Sequence, residues 1–185
     1  SCGSWNTLEE EVLNTDAGRT VVRSSISALK LSQIADNTEH RFDTGTGELN
    51  RVLGGGLVKG SIVLLSGDPG IGKSTLLLQT TQTLGADKKI LYVSGEESPH
   101  QIKLRACRLG VTSENLYILS DTDAEAVCEY IKNEKPDVVI IDSVQTMSIS
   151  AINSLPGSIS QVRECANLFM RVSKSYIMNL QRIRA

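Results

Sequence analysis

The chain predicts an α/β fold, a mostly parallel sheet flanked by helices. Three observations lead there. Short apolar runs alternate with helix-period stretches between residues 61 and 142. A glycine-rich loop joins the first of these runs to the first long helix, and the last run ends in a carboxylate.

Residues 1–38 lack sustained periodicity and are rich in Ser, Thr, Asn and Asp, so they read as a linker with one short strand near Thr20-Val21-Val22. From Arg41 the chain is punctuated by glycine, with a short helix expected over Glu48 to Leu53 before Gly54-Gly55-Gly56. Ser61 to Ser66 (Ser-Ile-Val-Leu-Leu-Ser) reads as a buried strand. Thr75 to Leu84 reads as the helix that follows, with Leu76, Leu77 and Leu84 on its apolar face. Lys89 to Ser94, Leu116 to Ser120 and Val138 to Asp142 are apolar runs suited to a sheet covered on both faces. Helices are expected between them at Pro99 to Leu109 and Asp123 to Asn133. The first has Pro at its start and Gly110 just past its end, as helix boundaries prefer. Helical crossovers between the four apolar runs imply parallel pairing. A last helical pattern covers Ile159 to Ser173. The domain reading is therefore a linker at 1–38, a core at 39–175 and an atypical tail at 176–185.

Composition excludes little. With 40% hydrophobic residues the chain can bury a core, and a formal charge of −2 gives no hint of nucleic acid. No apolar run approaches the roughly 20 residues of a membrane span, and no secretory signal opens the chain. Cys2, Cys107, Cys128 and Cys165 are scattered without a CxxC pair, which reads as reduced and cytoplasmic. Both ends are expected to be cut, since there is no initiator Met and the last helix precedes no further strand.

The chemistry lies in two motifs. Gly67-Asp68-Pro69-Gly70-Ile71-Gly72-Lys73-Ser74-Thr75 fills every slot of a phosphate-cradling P-loop. Its glycines let successive N–H groups point at a phosphate, and the helix that starts behind them adds its positive end. Lys73 is expected to meet the β- and γ-phosphates, and the Ser74 hydroxyl to ligate Mg²⁺. Asp142 ends an apolar strand in the Walker B manner and is expected to hold Mg²⁺ mainly through water. Ser143 follows it, where many ATPases place a catalytic Glu, so the water-orienting carboxylate must come from elsewhere. Glu96 and Glu97 lie just past the strand ending at Ser94. If that strand neighbours the one feeding the P-loop, one of them serves; Glu96 is the choice, and the other is expected to be a solvated acidic turn. The absence of an Asn-Lys-x-Asp element favours ATP over GTP.

Together these residues resemble the RecA-type ATPase core and, within it, the bacterial DNA repair family RadA (Sms). The resemblance is carried by Thr44-Gly45 through Gly54-Gly55-Gly56, the P-loop with Leu76-Leu77-Leu78-Gln79, and Tyr92-Val93-Ser94-Gly95-Glu96-Glu97-Ser98. It continues through Gln101 to Ala106, Ile141-Asp142-Ser143-Val144-Gln145-Thr146, Pro156-Gly157-Ser158 and Gln161-Val162-Arg163-Glu164-Cys165. It implies an ATPase of recombinational repair that acts on single-stranded or branched DNA as a ring-shaped homo-oligomer. Cys2-Gly3-Ser4-Trp5 resembles the end of the family's four-cysteine zinc module, which leaves Cys2 as a Zn²⁺ ligand in the intact protein only. The family's downstream Lys-Asn-Arg-Phe-Gly motif is absent, so slow hydrolysis by this chain alone is expected.

Met147 to Ser160 would face DNA by analogy, yet it holds no Lys, Arg or aromatic residue and reads equally as a polar connector. Arg163, Arg171 and Lys174 recur at helical spacing, either as a phosphate-binding face or as a solvated one. Arg105 reads as a surface helix residue, with stacking on adenine the alternative. Two other functions stay open: a KaiC-like ATPase acting on protein partners, and a nucleotide-binding module without turnover.

Overall fold

The computed structural model describes residues 28, 30–33 and 40–182, with side chains up to residue 175. The strand expected near Thr20 and the zinc-module cysteine Cys2 lie outside the described residues. The chain divides into two units, residues 1–37 and 38–185. In the first, Leu31–Gln33 form a single 3₁₀ turn.

The second unit begins with a hairpin that sequence reading did not foresee: β1 (Arg41–Phe42) pairs antiparallel with β2 (Leu57–Val58) across helix α1 (Gly47–Val52). Gly56 makes this hairpin possible. Its φ is +128°, and a Cβ there would lie 2.4 Å from the Phe42 carbonyl oxygen. Then follow α2 (Lys73–Leu84), β3 (Ile90–Ser94), α3 (Pro99–Arg108), β4 (Leu116–Ser120), α4 (Ala124–Glu134), β5 (Val138–Asp142) and α5 (Ile159–Arg182). Two helices start as their sequences dictate. Ser98 and Gln101 form a reciprocal capping box at α3, and the Asp123 carboxylate accepts from the Glu125 and Ala126 N–H groups at α4. Helix α5 continues past Ser173, so residues 176–182, read as an atypical tail, extend the helix.

The sheet is parallel with order β4-β3-β5. Central β3 is buried at all five positions, and its period of two divides the core. Ile90 and Tyr92 pack with Leu78 and Leu84 of α2 and with Ile102 and Ala106 of α3. Leu91 and Val93 face the other way, onto Ala124, Val127, Cys128 and Ile131 of α4 and Cys165 and Val172 of α5. The expected layering, helices on both faces of a parallel sheet, is the layering observed.

One expectation fails. Ser61 to Ser66 is not a buried strand: it joins no ladder, and Ile62, Val63 and Leu64 are 52%, 46% and 79% exposed. The sheet has three parallel strands rather than four, and the neighbours of β3 are β4 and β5 rather than the P-loop segment. Both edges of β3 are taken, so the segment cannot pair with it; among the described strands the outer edges of β4 and β5 stay unpaired, and the segment lines up with neither. The segment is instead anchored at its start, where the Ser173 hydroxyl donates to the Gly60 carbonyl at 2.9 Å. Helix α2 also turns differently from its expected face. Leu78 is its deepest residue, Leu84 is buried as expected, and Leu76 and Leu77 are half-buried. Thr80 and Thr81 share the inner face by returning their hydroxyls to the Leu77 and Leu78 carbonyls at 2.7 and 2.6 Å.

Candidate nucleotide site

The P-loop residues Gly67, Asp68, Pro69, Gly70, Ile71 and Gly72 are exposed, while Lys73, Ser74 and Thr75 open α2 and are half-buried. Gly70 and Gly72 have φ of +78° and +97°, left-handed backbone that favours glycine, and a Cβ at either would meet nothing within 4 Å. No side chain caps the first turn of α2. Its N–H groups therefore stand beside an open, glycine-lined loop, an arrangement that fits a phosphate group. Lys73 Nζ donates to the Gly67 and Asp68 carbonyls at 2.7 and 2.8 Å, which folds its charge across the loop.

Asp142 reaches the same face of the sheet from β5. The register sets Tyr92 opposite Ile140 and Ser94 opposite Asp142, so Asp142 is the diagonal neighbour of Tyr92. Tyr92, Ile140 and the inner face of α2 belong to one cluster. The Tyr92 hydroxyl donates to Asp142 Oδ2 at 2.5 Å. Burial, and next the Asp142 acceptor, push the Tyr92 phenol well above its ordinary pKa. Sequence reading missed Tyr92. The strand period aligns it with Ser94, but only the β3–β5 register could reveal its partner.

Glu96 and Glu97 follow β3 on a turn organised by Ser94, whose buried hydroxyl accepts from both of their N–H groups at 3.3 and 3.0 Å. The two carboxylates then part. Glu96 is exposed and accepts from the Ser143 hydroxyl at 3.1 Å, which joins it to the residue after Asp142. Glu97 pairs with Arg105 of α3, whose side chain is only 18% exposed. Arg105 is thus a half-buried ion-pair partner rather than an ordinary surface residue, and Glu97 is paired rather than a solvated turn. The reason is helical spacing: Arg105 lies two turns into α3 and points back over its N-terminus. Gly95 closes the arrangement, because a Cβ there would lie 2.2 Å from Thr146 Oγ1. The turn after β3 and the turn after β5 are in direct contact.

The loop after β5 is a built structure. Met147 is fully buried. Gln161, also buried, accepts from the Ile149 N–H at 3.0 Å and donates to the carbonyls of Ile149, Ile152 and Ser154 at 3.3, 3.2 and 3.0 Å. Leu155 and Ile159 remain 80% and 88% exposed. On α5, Arg163 pairs with Glu164, and Arg171 and Lys174 are exposed. Among the described residues no three His, Cys, Asp or Glu side chains gather as a metal cage. Hard-cation binding through one hydroxyl, one carboxylate and phosphates needs none. Among them, too, no helix is long and apolar enough to cross a membrane.

Comparison with known proteins agrees with this geometry. The DNA repair protein RadA of Listeria monocytogenes is 50% identical over 94% of this chain, and that of Bacillus subtilis is 47% identical over 94%. The Pseudomonas aeruginosa protein is 44% identical over the same share. The resemblance carried by the motifs is thereby borne out. The chain spans 39%, 40% and 39% of the lengths of these three relatives. Among solved structures, the flagellar accessory protein FlaH of Methanocaldococcus jannaschii superposes with a TM-score of 0.56 at 20% identity, covering 74% of this chain and 66% of its own. A DnaB-like replicative helicase superposes at 0.60 and 17% identity, covering 78% and 44%. Both likenesses concern the fold alone, the RecA-like one that the sequence predicted. Residues 28–169 match the family described as AAA domain, and with that match the chain belongs to the AAA domain family.

Proposed function

We propose that this chain is the nucleotide-binding part of a DNA repair ATPase. The observation that carries the reading is that helix α2, which the glycine-lined loop opens, packs on the same sheet face as Tyr92, whose hydroxyl holds Asp142. Bound ATP with Mg²⁺ would supply the phosphoanhydride bond that is cleaved. In this reading the loop N–H groups and Lys73 hold its phosphates, Ser74 and Asp142 hold Mg²⁺, and Glu96 orients the attacking water. Glu97 supports the site from outside by fixing Arg105.

The similarity to proteins named for DNA repair supports DNA as the partner and a cytoplasmic place of work. Action on branched recombination intermediates, assembly into a ring, and Zn²⁺ at Cys2 in the intact protein belong to the same proposal. Residues 39–175 are its ATPase core. Phosphate release measured with and without single-stranded DNA is the test. DNA-stimulated hydrolysis is expected. Hydrolysis indifferent to DNA would favour a protein-directed ATPase, and binding without any release would favour a nucleotide-binding module.

A further inference from the structure

We propose that Tyr92 is a positioning residue for the magnesium carboxylate: its phenol holds one oxygen of Asp142 and leaves the other to serve a metal-bound water. The proposal rests on the reading of Asp142 given above.

The geometry is specific. Tyr92 sits in the central strand, fully buried, on the face that also carries α2. Its ring spans the diagonal between β3 and β5 to place Oη 2.5 Å from Asp142 Oδ2, within the range of short charge-assisted O–H···O⁻ bonds. A Phe in the same place would fill the apolar cluster equally well, so packing alone does not call for the hydroxyl. A carboxylate tethered at one oxygen loses rotational freedom before any metal arrives. Groups that orient a direct metal ligand are worth about 10- to 100-fold in metal affinity, and Tyr92, acting on a carboxylate that reaches the metal through water, belongs at the lower end of that range. Asp142 itself is half-buried, and its backbone is fixed in register with Ser94. Tyr92 thus fixes the remaining freedom, that of the side chain.

The test titrates Mg²⁺ into the whole chain with a fluorescent, non-hydrolysable ATP analogue, comparing wild type, Tyr92→Phe and Asp142→Asn. Tyr92→Phe is expected to raise the Mg²⁺ midpoint about tenfold while leaving analogue affinity in EDTA unchanged. Asp142→Asn should raise the midpoint at least as far. An unchanged midpoint in Tyr92→Phe with a raised one in Asp142→Asn overturns the positioning role and leaves Asp142 as read. No change in either variant overturns the reading of Asp142 and the proposal with it. Equal weakening with and without Mg²⁺ in Tyr92→Phe also overturns it, because lost packing would act that way. Should Tyr92→Phe not fold, 3-fluorotyrosine in the wild-type chain gives signals from its four tyrosines. One signal that moves with Mg²⁺ and analogue in wild type, but not in Asp142→Asn, supports the proposal; four unmoved signals overturn it.

Discussion

The two halves of the candidate site are built in opposite ways. The β3–β5 half is buried backbone in register, with its side chains tied across strands: Tyr92 to Asp142, Glu96 to Ser143, Glu97 to Arg105. The P-loop half is an exposed, unladdered segment, anchored at its start by Ser173 of α5 and at its end by the helix it leads into. The difference teaches that motif and support are separable. Glycines and a helix start suffice to shape the loop locally, whereas the carboxylate half has its shape only because three strands and two helices agree on it.

The largest expected effect lies within the ordered half and separates its two glutamates. Glu96→Gln should lower hydrolysis by about 10²-fold or more while analogue binding persists, since a lost general base costs about 10²–10⁴. Glu97→Gln should lower stability instead. Phosphate release and analogue titration, made where the wild type turns over, decide; the reverse pattern would exchange the assigned roles. Next is the contrast in support itself. Ile90→Ala in β3 should cost about 2–5 kcal/mol in urea unfolding, as for other fully buried truncations. Leu64→Ala, at a position 79% exposed, should stay within about 0.5 kcal/mol. Similar losses would show that the P-loop segment is as buried in solution as β3.

Gly95→Ala tests the contact between the two turns. Its Cβ would collide with Thr146, so a loss of about 1–3 kcal/mol is expected in the same unfolding assay. Lys73→Ala, which leaves the glycine cradle intact, should weaken ATP binding tenfold or more, about 1.4 kcal/mol, in a fluorescence titration. Unchanged affinity would remove Lys73 from the phosphates. Smallest in energy is a labelling contrast. The exposed Cys107 should react readily with a thiol reagent. Cys128, buried with its thiol pushed up to about 11, and the buried Cys165 should react only on unfolding. Fast labelling of Cys128 at neutral pH would mean that the α4–α5 face opens.

The sequence by itself determined a good deal. The P-loop, the Asp at the end of β5, the boundaries of β4 and β5, and the starts of α3 and α4 were all legible. These depend on interactions within a few residues: a glycine's freedom at positive φ, a cap's reach to the next turn, the run of apolar side chains that a covered strand needs. Only the tertiary structure decided the rest. That Ser61 to Ser66 joins no ladder, although its apolar run resembles that of β3, is decided by packing outside the segment. That Glu97 rather than Glu96 is taken by Arg105, and that Tyr92 meets Asp142, depends on register and on the angle at which a helix leaves a strand. Such pairings join residues 8 to 50 positions apart, and local propensity carries no information about a partner at that separation.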